Sequence, residues 1–132
     1  MKKYSIGQSA SLTKVATREA VDAIIVASGD DNPIHWDEEY ASSTMFKGCI
    51  AHGLFYLGMV STVIGTIMPG KGSILASQQI EYFSPIYIGD EVTTTVTISE
   101  IDEEKNLIHL SFTCTNQKEK TIAEGKSLVK MI

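Results

Sequence analysis

The apolar positions of this chain change their period twice. From Thr17 to Gly29 they recur at helical spacing, from Gly48 to Gly70 they crowd most positions, and from Ser73 to Met131 they largely alternate with polar residues. Each regime predicts a different element. In the first, Thr17 is placed to cap a helix whose first turn holds Glu19. Val21, Ile24 and Ile25 give it one buried face, and Gly29 supplies the stop. Asp37 can cap a second, short helix, with Glu38 and Glu39 at its positive end and Trp36 and Tyr40 anchoring it to the core. The crowded stretch predicts a helix through Leu54, Phe55, Leu57, Met59, Val60, Val63 and Ile64 that is apolar on every side, so the rest of the chain must wrap it completely.

After a turn at Pro69-Gly70-Lys71-Gly72, four segments rich in β-branched residues follow, at about 73–83, 91–101, 107–115 and 121–131. Val92, Val96 and Ile98 alternate with Thr93, Thr95 and Thr97 in the second of them. Their short polar connections predict antiparallel neighbours. A further short strand is expected between Tyr4 and Lys14, where Ser11-Leu12-Thr13 leans towards β structure. A long central helix followed by successive antiparallel strands that curve around it makes an α+β protein with the element order of a hot-dog fold. With no repeat, linker or low-complexity tract, residues 1–132 read as a single domain. A sheet with one face on a helix leaves its edges for pairing, which favours a homodimer or a larger assembly of dimers.

Composition narrows the function classes. The chain has 43% hydrophobic and 20% charged residues, an ordinary globular balance. A net charge of −5 argues against general attraction to nucleic acid. Cys49 and Cys114 lie far apart without metal-ligand or redox spacing, as expected for two core thiols of a reduced intracellular protein. The segment Met-Lys-Lys-Tyr-Ser-Ile-Gly-Gln lacks the apolar run of a signal peptide, which points to the cytoplasm. Residues 48–70 carry no charge over a length that could span a bilayer, but their glycines, Pro69, His52 and hydroxyls fit a helix buried in a protein instead, with no membrane partner.

The candidate chemistry lies between the first two helices, in Gly29-Asp30-Asp31-Asn32-Pro33-Ile34-His35. Pro33 fixes its own φ and pushes Asn32 towards an extended conformation, so a stiff elbow separates the acids from the histidine. Asp30 or Asp31 can act as general base and His35 as general acid on one shared water. On spacing alone a structural hydrogen bond fits this pair at least as well.

The motif Gly29-Asp30-x-Asn32-Pro33-Ile34-His35, followed after five residues by Ala41, resembles the signature of the MaoC-like dehydratases, the family of R-specific enoyl-CoA hydratases. Ala51-His52-Gly53, Ser61, Pro69-Gly70-Lys71-Gly72-Ser73, Pro85 and Gly89-Asp90 extend the resemblance across residues 27–92. It implies reversible syn hydration of a short-chain trans-2-enoyl-CoA to an (R)-3-hydroxyacyl-CoA. Asp30 would be the base, His35 the acid, and Asp31 a bystander. Gly53 would give the thioester oxygen a backbone N–H at a helix N-terminus, a position suited to holding negative charge. Asn32 and Ser61 match residues that support the site. No cofactor or metal is implied, coenzyme A being part of the substrate.

Lys71, between two glycines, is a candidate for a CoA phosphate. His52 is expected to pack and cap at the helix end, and His109 to be a cross-strand surface residue. Two other functions compete: a hot-dog thioesterase, and a non-catalytic acyl-CoA binding module. A thioesterase of this fold typically carries its acid on the central helix, and the stretch from Leu54 to Met68 has none.

Overall fold

A computed structural model describes residues 3–132. In chain order it contains β1 (Ser9–Val15), α1 (Arg18–Ser28), a 3-10 turn (Pro33–His35), α2 (Glu38–Ser42), α3 (Gly53–Thr66), β2 (Ser73–Tyr82), β3 (Glu91–Asp102), β4 (Leu107–Thr115) and β5 (Thr121–Met131). Among the described residues no helix is long and apolar enough to cross a membrane.

The five strands form one antiparallel sheet in the order β1-β3-β4-β5-β2. Side-chain alternation decides its concave face. Val92, Thr94, Val96 and Ile98 of β3 point inward, as do Ile108, Leu110, Phe112 and Cys114 of β4. They meet Phe55, Tyr56, Met59, Val60, Val63 and Ile64 of α3, and each such aliphatic or aromatic side chain contributes about 1.5–3 kcal/mol by leaving water. The fold is thus the α+β arrangement expected. Cys49 and Cys114 are both free and buried.

Gly125 on β5 leaves no room for a side chain between its neighbours. It pairs with Phe112 on β4 and lies opposite Ile80 on β2. A Cβ there would overlap the Gln79 carbonyl oxygen and come within 2.6 Å of the Phe112 ring, so no other residue fits without moving a strand.

Local signals set the helix ends. Thr17 Oγ1 accepts a hydrogen bond from the Ala20 N–H at 3.0 Å, and Gly29 ends α1 at φ 81°, in the left-handed region. Asp37 caps α2 through the Tyr40 N–H at 3.1 Å. Two expectations fail. Trp36 and Tyr40 are 51% and 47% exposed, because α2 is a single short turn that buries only Ala41. The sheet also does not wrap α3 completely. Leu54, Gly58, Ser61, Thr62 and Gly65 form an exposed stripe, since one curved sheet covers only part of a helix's circumference.

Candidate active site

The elbow after α1 holds itself in shape by short-range bonds. Ser28 Oγ accepts from the Asp30 N–H at 3.1 Å, Asp30 Oδ1 from the Asn32 N–H at 3.2 Å, and Asn32 Oδ1 from the Ile34 N–H at 3.3 Å. Asn32 therefore caps the 3-10 turn that carries His35. Trp36 Nε1–H donates to the Asp31 carbonyl at 2.8 Å, while the Asp31 side chain stays on the exposed surface.

This folding brings His35 Nε2 to 4.0 Å from Asp30 Oδ2. The two groups sit in different surroundings, the His35 side chain being 9% exposed and that of Asp30 48%. His35 Nδ1 lies 2.7 Å from the Ile50 carbonyl oxygen, which can only accept. Nδ1 must therefore carry the proton, and Nε2 is the nitrogen free to exchange one. Arg18 Nη2 also donates to the His35 carbonyl at 2.6 Å, tying α1 to the same turn.

The segment before α3 completes the site. His52 precedes the helix but makes no capping hydrogen bond with its side chain, contrary to expectation. Its ring instead stacks on His35, with centroids 3.6 Å apart and planes 21° from parallel, and its Nε2 lies 2.9 Å from the Asp30 carbonyl oxygen. The next residue, Gly53, is the first of α3. The His52 carbonyl accepts from the Phe55 N–H at 2.9 Å, but its side chain caps no N–H, and the N–H groups ahead of Phe55 have no partner within the helix, so α3 offers these leading donors and its dipole to a ligand.

Beside Gly53 opens a cavity of about 460 Å³ lined by Phe46, Ala51, Tyr56, Tyr82 and Phe83 among others. Tyr82 donates to the Gly53 carbonyl at 3.2 Å and packs edge-on against Tyr56 at 4.9 Å. Tyr56 in turn donates to the Ser84 carbonyl at 2.7 Å. Desolvation pushes both phenols above the ordinary tyrosine range, so each remains a neutral donor.

Within one chain the structure brings together Asp30, His35 and, as a structural brace, Asn32, while Gly53 begins α3 next to His52 and lines the neighbouring cavity, which neither Asp30 nor His35 lines. Ser61 sits further along α3 on the exposed stripe, without a hydrogen bond to Asp30 among the described residues. Lys71 lies beyond the other end of α3, whose 14 residues span about 21 Å, next to Tyr4, Asn106 and Met131. His109 is a cross-strand surface residue, 3.9 Å from Glu100. The ties made by His52 and Arg18 were missed. Their partners are 22 and 17 residues away, and neither bond leaves a local pattern in the sequence.

Asp30, His35 and His52 hold their potential ligand atoms within 4.8 Å of one another. The donor set does not fit a shared ion well, because lone pairs lie in the ring planes and two stacked rings direct them along nearly parallel planes.

A sheet curved over one helix, with an acid–histidine pair at the helix's N-terminal end, matches a known class of hydratases in shape. The (R)-hydratase from A. caviae involved in PHA biosynthesis superposes with a TM-score of 0.96 at 32% identity, each chain being covered in full. Its hot-dog fold is the fold of this chain. The family model described as "MaoC like domain" matches residues 4–120, and the chain belongs to that family. It is similar to an (R)-specific enoyl-CoA hydratase of Rhodospirillum rubrum, 41% identical over 93% of this chain and 85% of the relative. It is also similar to a 3-hydroxybutyryl-CoA dehydratase of Methylorubrum extorquens, 36% identical over 91% and 78%.

Proposed function

We infer that the protein is an (R)-specific enoyl-CoA hydratase, interconverting short-chain trans-2-enoyl-CoA and (R)-3-hydroxyacyl-CoA. The observation that carries the mechanism is the 4.0 Å approach of Asp30 to His35 beside the start of α3. One water hydrogen-bonded to both groups at about 2.8 Å would subtend about 90° at its oxygen, an acceptable geometry. Asp30 takes a proton from this water as its oxygen attacks Cβ. His35 delivers its Nε2 proton to Cα while Nδ1–H stays on Ile50 O. The negative charge that builds on the thioester oxygen falls to the Gly53 N–H.

Hydration thus begins from carboxylate and imidazolium and ends with carboxylic acid and neutral imidazole. Dehydration begins from that second state, so one total protonation level serves both directions. A following water returns the proton from Asp30 to His35. These are proton transfers only, and we assign no cofactor or metal to them.

The acyl-CoA thioester is the proposed partner, with its acyl end in the cavity beside Gly53. Asn32 serves by holding the elbow. Ser61 and Lys71, remote from the site within one chain, retain their proposed supporting and phosphate-binding roles only through a second copy. The open edge of β2 and the bare stripe on α3 are the surfaces on which that copy would pair, giving a homodimer. We place the protein in the cytoplasm and read residues 1–132 as one domain. A thioesterase reading is disfavoured because Gly53–Thr66 contains no acid.

The test is loss of enoyl absorbance on mixing with crotonyl-CoA. Turnover by the natural protein and its collapse in Asp30→Asn and His35→Ala are expected. No turnover on any short enoyl-CoA, or full activity in both variants, would refute the reading.

A further inference from the structure

Among the described residues His52 is one of four buried polar or charged residues, at 1% exposure, and the proton transfers above do not use it. Its Nε2 faces a carbonyl oxygen, so it must carry hydrogen and donate. Its Nδ1 is buried without a hydrogen-bond partner among the described residues. Protonating Nδ1 would bury an unsatisfied N–H and set a second positive ring 3.6 Å from His35. These contacts select one state, the neutral ring with its proton on Nε2.

That ring touches both halves of the dyad. Asp30 is otherwise held by bonds to Ser28 and Asn32, each two residues away and exposed. The bond from His52 is the long-range tie on its backbone, across 22 residues. On the other side, the bond from His35 Nδ1 to Ile50 O fixes one atom of that ring but leaves rotation about the bond, and the stack on His52 removes it.

We propose that His52 is a positioning residue that aligns base and acid together, through its Nε2–H on the Asp30 carbonyl and its face on the His35 ring. It touches no reacting atom. The proposal rests on the hydratase reading given above. Misplacement of catalytic groups by about 1 Å can cost about 10²-fold, which sets the scale of its effect.

The experiment combines kinetics with spectroscopy. His52→Phe keeps a flat ring and loses the donor, His52→Gln keeps a donor and loses the ring, and His52→Ala loses both. With crotonyl-CoA, kcat is expected to fall about 10-fold in each of the first two and about 10²-fold in His52→Ala, with KM changed less than about twofold. Melting temperatures of His52→Phe and His52→Gln identify losses due to unfolding.

Wild-type kcat in the folded variants, or a loss confined to KM, would overturn the proposal. Should the variants not fold, two-bond ¹H–¹⁵N spectra of the natural protein decide it. His52 should appear neutral with hydrogen on Nε2, and a doubly protonated or Nδ1–H ring would be a refutation. The spectra need no substrate, and inactivity of the natural protein towards crotonyl-CoA would instead count against the hydratase reading.

Discussion

The elbow from Ser28 to Asp37 and the segment from Ile50 to Gly53 lie against each other and share long-range ties, but the elbow is also braced by a dense set of local bonds. Bonds within the elbow link residues two to five apart: Ser28 to Asp30, Asp30 to Asn32, Asn32 to Ile34 and Asp31 to Trp36. The second segment has ties that reach across the fold. Ile50 N–H donates to Ile34 O at 3.2 Å, Ala51 N–H to Ile86 O at 2.8 Å, and His52 Nε2–H to Asp30 O at 2.9 Å. On the proposed mechanism the elbow carries the reactive groups, while the second segment would align them and supply a helix N-terminus. Reactivity can thus be written locally, whereas alignment needs the finished fold.

Disabling the elbow's chemistry should have the largest effect. Asp30→Asn and His35→Ala are each expected to lower kcat by about 10²–10⁴-fold, since each removes a general acid or base. Asp30 is half exposed and leaves little packing behind, so Asp30→Asn should melt within a few degrees of the natural protein, as circular dichroism can check.

The second segment can be disabled without touching either reactive group. Gly53→Pro removes one backbone N–H at the first position of α3, where proline suits a helix. A loss of about 10²–10³-fold in kcat is expected. Gly53→Ala keeps the N–H and is the control. Its Cβ would lie 2.8 Å from the Tyr82 hydroxyl, the far end of a half-exposed side chain that can give way at the expense of its 3.2 Å bond to the Gly53 carbonyl, and should cost much less.

Stability should follow a different order. Gly125→Ala lies in neither segment but overpacks the point where Gln79 of β2 and Phe112 of β4 crowd β5, and about 1–3 kcal/mol of destabilisation is expected by denaturant titration. Asn32→Ala removes the cap of the 3-10 turn and should cost about 1 kcal/mol, with Asn32→Asp retaining most of it.

The same division explains what was legible in the chain. Thr17, Gly29, Asp37, Pro33 and the Val/Thr alternation of β3 act on their own neighbours, so the caps, the elbow and the strands could be read directly. Asp30 and His35 stood out because the turn that joins them is local. The His52 stack could not be read that way, because it exists only once α3 has docked beneath the elbow. The exposed stripe on α3 was hidden for a related reason: apolar residues on every side of a helix do not reveal how much of it one sheet can cover.

Alkaline pH should bring the smallest change. Burial raises the Cys114 thiol above its ordinary value of 9.0, and it raises the Tyr56 phenol as well. Both groups ionise more readily in the unfolded chain, which then binds fewer protons, so the thiol's contribution to stability is present below about pH 9 and the phenol's below about pH 10, and each declines as pH rises further. Cys114→Ala should lessen the decline.

The most direct test of the pair acting through one water is hydration of crotonyl-CoA in D₂O, with the product's configuration read by NMR and chiral analysis. Acting through one water from one side of the substrate, Asp30 and His35 should deliver deuterium to C2 and oxygen to C3 on the same face, and an R-specific hydratase should in addition attack the face that gives the R alcohol. Addition from opposite faces, or an S alcohol, would contradict it.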